Sequence, residues 1–583
     1  MSLIKNLRRT AVSLSPLLFA ALQIPAQAHA QAIERHLPEV PQGVTKGLVT
    51  PNAVPGDQDA TPIGPALTSI VLLGPAEAPH NDAAAGVSVG DVYRLQDDAA
   101  RADIAARLRP FIGQTLSRKL IAEIEAAIAQ DYRDLNYPFV SLSTPEQEID
   151  HGVLQVRVIE FTAGNVSVKA APGQTISDKT ATYVRSKIAL QPGDAINARE
   201  LTYDLDGLNR YPFRQVQAAF TPGAALGESD MLLSVRQLKP WQAYGGYSND
   251  GSPSTSYDRY FIGGAAGGLL GRDSVLSVQA TASRDALAGE KDPHYRSVAL
   301  NYTIPVGRRG LIEASADTVT TYQSNDPFMV GLKATEGSLG YRWALSKLYG
   351  DQGITDARFG IEASHQTGTT YFNATNVYEV SVESYKVFVG LHHAASDAAG
   401  AANWDLSLHM SPGGVTADNS AEQAYLYSQG RLPGATYSYL SGSYDRVTTL
   451  GDALSLQTQV FGQFTPVALP RTDQAGLGGS YLVRGYSLDN GAVDTALIVR
   501  NELHIRGATW GSGSIDPYGF VDLGHGRDNY ARSNTDLASL GAGANIRLIS
   551  HVALKIDAAV ALAPNGEVRA GDLAAHTRLQ LVF

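Results

Sequence analysis

Phe520, Asp522 and Gly524 occupy alternate positions in the stretch Phe520-Val521-Asp522-Leu523-Gly524, so on a strand they share one face. An aspartate half-buried on such a face needs a donor, and arginine offers a planar fork that binds a carboxylate through two hydrogen bonds. Other titratable groups lie close together in sequence. Glu502 and His504 share a strand face, and Asp522 is near His525. His392 and His393 are adjacent, so they point to opposite faces and cannot ligate one metal. Polar residues lining a water-filled interior account for all of these. The chain has no Gly-x-Ser-x-Gly elbow, no phosphate-binding loop and no His-Glu-x-x-His helix. It has no cysteine, which excludes thiolate catalysis, thiolate-bound metal and disulfides. The sequence therefore implies no catalytic residue, no metal and no cofactor, and the chain is not expected to be an enzyme.

The elements that position these residues are strands. From Trp241 onward, segments of about ten residues alternate in polarity. Leu454, Leu456, Thr458, Val460, Gly462 and Phe464 oppose Ser455, Gln457, Gln459 and Gln463. Val499, Leu503 and Ile505 oppose Arg500, Glu502, His504 and Arg506. Val552, Leu554, Ile556, Ala558 and Val560 oppose Lys555 and Asp557. An apolar face against a charged one, strand after strand, fits a barrel with lipid outside and water inside. A soluble sandwich would carry its charges outside an apolar core, and alternation alone does not separate the two. Three observations favour the barrel. Lys5, Arg8 and Arg9 precede the apolar stretch Ala11 to Ile24, and overlapping Ala-x-Ala sites follow between Ala26 and Ala30, so residues 1–30 read as a secretory signal peptide. The chain stops on Thr577-Arg578-Leu579-Gln580-Leu581-Val582-Phe583, an alternating strand ending on an aromatic. The 27 tyrosines against 4 methionines suit aromatic girdles at membrane interfaces. At roughly 20 residues per strand and connection, residues 240–583 give about 16 strands. No window after the signal peptide reaches the roughly 18 apolar residues of a spanning helix. The net charge of -11 argues against a nucleic-acid partner.

Residues 31–65 read as a leader and linker. Pro38, Pro41, Pro51, Pro55, Pro62 and Pro65 break any helix or sheet there, and only Ala32 to Leu37 could form a short plug helix. A weak repeat then covers residues 66–161 and 162–239. In the first copy the apolar strand Ile70-Val71-Leu72-Leu73 precedes a helix with Leu120, Ile124, Ile128 and Tyr132 on one stripe. After it comes a strand with Leu154, Val156 and Val158 on one face and Gln155 and Arg157 on the other. In the second, Val166 and Val168 mark the first strand, and Asn197-Ala198-Arg199-Glu200 starts a helix bearing Leu201, Leu205 and Leu208. Val216 to Phe220 and Leu232 to Val235 complete it. Tyr-Pro-Phe closes both helices, at 137 and 211, a spacing of 74 residues. Each copy suits a small α+β module with a three-stranded sheet and an exposed edge.

Gly478-Gly479-Ser480-Tyr481-Leu482-Val483-Arg484-Gly485-Tyr486 carries a Val-Arg-Gly-Tyr motif, and Phe520-Val521-Asp522-Leu523-Gly524 carries Phe-x-Asp-x-Gly. Both, in this order and behind two modules, resemble the POTRA-plus-barrel transporters. Two modules, the Pro-rich leader and the terminal Phe583 make the chain most similar to the two-partner secretion transporters of the TpsB, hemolysin-activator type. The resemblance spans essentially the whole chain after the signal peptide. Asn249-Asp250-Gly251 fits the Asn-x-Gly of that family's first barrel strand, while Ser254 to Arg259 follows the next stretch only loosely. The resemblance implies that the Arg-Gly-Tyr segment tips a long extracellular loop folded into the lumen. There Arg484 would lock onto Asp522, with Gly485 allowing close approach and Tyr486 packing beside it. A purely architectural salt bridge would use the same residues. Phe583 is implied as a membrane-insertion signal.

The expected fold is therefore multi-domain: two α+β POTRA modules followed by a transmembrane antiparallel barrel. The expected place is the outer membrane, with the modules in the periplasm. The expected function is export of an unfolded secreted partner of the adhesin or cytolysin class, captured by strand addition to a module edge. Outer-membrane lipid and the barrel-assembly machinery are the other expected partners. A barrel-assembly factor of the same superfamily is the nearest alternative, and a passive porin a more distant one.

Overall fold

The computed structural model describes residues 34, 36–38, 56–80, 84–149, 151–325, 327–345 and 353–583, so the predicted signal peptide lies outside the described residues. The chain forms two compact units, Gly43–Leu238 and the combination of Met1–Gln42 with Lys239–Phe583.

The first unit holds two α+β modules. In the first, helix Arg118–Asp134 buries Leu120, Ile124, Ile128 and Tyr132. It starts at Ser117, whose hydroxyl accepts from the Leu120 amide at 3.2 Å, satisfying one of the amides that a helix start leaves unpaired. The helix packs on a sheet whose strand order is Gly86–Val89, Ser69–Leu73, Val153–Glu160, Val140–Ser143. That is four strands rather than the expected three. The extra edge strand is short, its Gly-Val-Ser-Val gives little alternation to read, and it pairs in parallel through Ser69↔Gly86 to Leu72↔Val89. Helix Asp98–Leu108, which buries Ala100, Ile104 and Leu108, was not legible as a stripe either. Pro62–Ala66, read as linker, is an irregular edge strand paired with Thr115–Ser117. An edge tolerates proline because no partner needs its missing donor on the outer side.

The second module has the order Thr162–Ala170, Glu228–Gln237, Arg214–Pro222. Helix Ala198–Asn209 lays Leu201, Leu205 and Leu208 on it. The Asn197 side chain caps this helix, accepting from the Glu200 amide at 3.0 Å. A further helix, Asp178–Lys187, contributes Val184 to the same core.

The second unit is a closed antiparallel barrel running from Trp241–Ser248 to Leu573–Val582, with sixteen wall strands among the described residues. The first and last strands pair from Tyr244↔Val582 to Ser248↔Arg578. Beyond that register Phe583 donates to the Ala243 carbonyl at 2.8 Å and accepts from its amide at 3.2 Å. An even number of strands brings both ends of the barrel chain to one rim, the proximal one. Connections there are short, such as 307–309, 451–453 and 550–551, while the distal rim carries the long segments 412–436 and 465–494. Leu497, Leu503, Ile505, Val521, Leu523 and Leu540 are exposed on the outer wall, and Arg500, Glu502, His504 and Asp522 are buried inside. Closure with this polarity excludes the sandwich. Trp241, Trp510 and Phe583 lie exposed at the proximal rim, where an aromatic girdle belongs.

Candidate functional site

The segment 465–494 leaves strand Leu454–Phe464 at the distal rim and returns to strand Thr495–Ile505. Between them it packs as a small core of its own: Ala475, Leu477, Leu482, Val483, Tyr486 and Val493, against Ile498, Leu537 and Ala561 of the wall. At its tip the structure brings Arg484 and Asp522 together, both fully buried. Arg484 Nε and Nη2 donate to the two carboxylate oxygens of Asp522 at 2.7 and 2.8 Å. The Arg484 amide adds a third bond at 3.2 Å. Its Nη1 donates to Glu502 at 2.7 Å and to Asp557 at 3.2 Å. The guanidinium also lies over the Phe520 ring, 3.4 Å from its centroid, a cation–π contact strengthened by the burial of both side chains.

The strand and loop motifs fit as one contact surface. Phe520, Asp522 and Gly524 lie on the inner face of strand Gly513–Asp528. Asp522 takes the fork and Phe520 stacks beneath it. Gly524 clears space: a Cβ there would stand 2.8 Å from Val483 Cγ2, closer than two carbons pack. Gly485 has φ +94°, a conformation that glycine adopts without strain. The Tyr486 hydroxyl is shared between the carbonyls of Ala538 at 2.9 Å and Ala563 at 2.7 Å, tying the tip to a neighbouring strand and the next distal connection. His525, by contrast, lies on the outer face and pairs with Asp536 at 2.6 Å, away from this cluster.

Glu502 and Asp557 were legible as inward charges, but not as partners of Arg484. They come from strands Thr495–Ile505 and Val552–Ala561, and only register across the wall sets them level with Asp522. Each keeps a local partner: Arg500 donates to Glu502 at 3.3 Å, and the Tyr518 hydroxyl donates to Asp557 at 2.7 Å. His392 bonds Asp405 at 3.1 Å and His393 bonds Thr355 at 2.9 Å, so the two histidines share no site.

The leader also reaches the barrel. Glu34, His36, Leu37 and Pro38 are irregular, not helical, and the rest of Ala32 to Leu37 lies outside the described residues. Pro38 has no amide to close a helical bond onto the Glu34 carbonyl. Both Glu34 carboxylate oxygens accept from Arg259 at 2.5 Å, and its carbonyl accepts from the Tyr295 hydroxyl at 3.1 Å. His36 closes on Glu34 at 2.7 Å. Arg259 falls in the loosely matching stretch after Asn249-Asp250-Gly251.

A closed wall, an inserted loop fixed by an arginine, and α+β modules ahead of them define a POTRA-plus-barrel transporter. Comparison with known proteins gives the family. The family described as haemolysin secretion/activation protein ShlB/FhaC/HecB matches residues 227–546, and the ShlB-type POTRA domain matches residues 95–160. The chain belongs to this family, the two-partner secretion transporters of the outer membrane, with its modules in the periplasm. It is 23% identical over 406 residues to the outer membrane transporter CdiB of Dickeya dadantii (strain 3937), 68% of each chain. It is 19% identical over 486 residues to the heme/hemopexin transporter protein HuxB of Haemophilus influenzae, 81% of this chain and 82% of that one. The fold is similar to that of CdiB from Escherichia coli, with TM-score 0.67 and 20% identity over 91% of this chain and 93% of that one. CdiB from Acinetobacter baumannii gives 0.62 and 16%, covering 94% and 95%.

Proposed function

We propose that the chain captures an unfolded secreted partner with its periplasmic modules and passes it outward through the barrel, the Arg484 loop and the leader closing the lumen at rest. The observation that carries this reading is Arg484 held among Asp522, Glu502 and Asp557 inside the wall. Barrels of about 16 strands enclose an aqueous channel, so one that does not leak needs an internal obstruction. A loop fixed by ion pairs can close the channel and still be displaced. The module sheets support capture, because edges such as Val140–Ser143 and Arg214–Pro222 end their sheets and an extended chain can add a strand there. The partner is an exoprotein of the adhesin or cytolysin class. Outer-membrane lipid surrounds the apolar wall, and the barrel-assembly machinery inserts it using the strand that ends on Phe583. No catalytic step is assigned, and export draws on the partner's folding outside the cell.

The test is secretion of a candidate partner by cells carrying wild type, Arg484→Ala, or a deletion of residues 67 to 239, with barrel insertion measured in each. The partner reaches the medium only with wild type if the reading holds. Unaffected secretion alongside loss of other outer-membrane barrels would replace it with an assembly factor.

A further inference from the structure

The inserted loop touches the wall at a second buried ion cluster, distinct from the Arg484 site. Near the start of the loop, Asp473 is buried and accepts from the ammonium of Lys386. It also accepts from the Tyr437 hydroxyl at 2.6 Å and the Tyr439 hydroxyl at 3.3 Å. Its carbonyl takes a bond from Gln463 at 2.8 Å. The neighbouring Thr472 hydroxyl accepts from Gln366 at 2.9 Å, and Tyr427 of the 412–436 segment holds that glutamine at 3.0 Å. The donors come from strands Ile354–Phe372, Thr375–Asp397, Tyr437–Leu450 and Leu454–Phe464. None of these carries a ligand of Arg484.

The polarity is reversed between the two clusters. At the tip the loop contributes the cation and the wall the acids. At the arm the loop contributes the acid and the wall the cation. Both walls hold a counter-charge that stays when the loop leaves. Lys386 lies 3.0 Å from Glu362, which His409 approaches at 3.4 Å. Arg500 lies 3.3 Å from Glu502 and 3.7 Å from Asp522. Removing a buried charge's only partner is strongly unfavourable, and a resident counter-ion on each wall reduces that penalty when the loop withdraws.

We propose that Lys386 and Asp473 are positioning residues that form a second clasp on the inserted loop, and that the lumen opens only when this clasp and the Arg484 clasp both release. The proposal rests on the transport reading above, and the readouts that decide it use no transported partner.

Full-length protein in planar bilayers and in cells is compared as wild type, Asp473→Asn, Lys386→Met and Lys386→Arg. The readouts are frequency of pore opening and heat-modifiable migration, which reports the folded barrel. Each protein, wild type included, also carries Ala475→Cys at a buried loop position outside the clasp, so that a membrane-impermeant maleimide applied from outside reports lifting of the arm from its buried site. Asp473→Asn and Lys386→Met are expected to raise opening frequency and labelling rate about tenfold or more, the ratio set by roughly 1.4 kcal/mol of lost closed-state preference. Lys386→Arg is expected to stay near wild type, and a double variant combining Asp473→Asn with Lys386→Met to add little to either single one. Wild-type opening and labelling in Asp473→Asn with a folded barrel would overturn the proposal. That variant changes only the loop side and decides the matter even where Lys386→Met fails to fold. Faster opening and labelling together with normal secretion of the partner by every variant would leave the clasp standing and count against the closed-lumen part of the transport reading.

Discussion

Arg484 is held by charge, stacking and fit at once, and each part has a separable consequence. Replacing it by alanine leaves Asp522 and Glu502 to Arg500 and Asp557 to the Tyr518 hydroxyl, so the cost should fall below the roughly 3–5 kcal/mol of a buried charge left with no partner. Arg484→Ala should therefore lower the temperature at which the folded barrel loses its fast migration and should raise the frequency of pore opening in bilayers. Arg484→Lys should recover little, because an ammonium cannot span both oxygens of Asp522 or stack on Phe520 as a planar fork does. Gly524 acts through space alone. Gly524→Ala would set a methyl 2.8 Å from Val483 Cγ2, an overpacking that costs about 1–3 kcal/mol. Combining it with Val483→Ala should restore closure in part, a non-additivity readable in pore-opening frequency.

At the scale of elements, the modules depend on ordinary helix-on-sheet packing. Ile124 and Ile128 are fully buried between the Arg118–Asp134 helix and the first sheet, and truncation of either to alanine should cost about 2–5 kcal/mol. Limited proteolysis of the full-length protein would show it as faster cleavage within residues 56–238. The connection from Ser69–Leu73 to Gly86–Val89 carries a pH dependence. The backbone amides of Gly74 and Asp91 donate to the Glu77 carboxylate at 2.9 and 3.0 Å and hold its pKa below the ordinary value. A depressed acid stabilises the fold above its unfolded pKa, about 4.3 for glutamate, and that contribution is lost as pH falls through the lower folded value. Glu125 and Asp131, raised chiefly by burial, act with the opposite sign. The difference between wild type and Glu77→Gln isolates the first effect: the variant should be less protease-resistant at neutral pH, with the gap closing in acid.

For the whole molecule, barrel closure depends on a short seam. The Trp241–Ser248 and Leu573–Val582 strands pair over a brief register, and Phe583 extends it through Ala243 while stacking on His551 at 6.2 Å. We expect deletion of Phe583 to reduce the amount of barrel inserted more than the heat stability of what does insert. Quantifying heat-modifiable protein in outer-membrane fractions checks this. Equal insertion with a lowered melting point would assign Phe583 to the seam alone.

Alternation with period two is a local property, so the strands from Leu454, Thr495 and Val552, and the inward direction of Asp522, were determined by the sequence alone. The helical stripe ending at Tyr132, the Asn197 cap and the doubled Tyr-Pro-Phe turn were equally local. Short or proline-bearing edges such as Gly86–Val89 and Pro62–Ala66 were not, because a strand of a few residues is stabilised by the neighbour it pairs with rather than by its own pattern. The gathering of Glu502 and Asp557 around Arg484, of Lys386 around Asp473, and of Glu34 onto Arg259 was decided by tertiary structure. Each joins residues far apart in the chain, and only inter-strand register and closure of the wall bring their charges to one depth in the lumen.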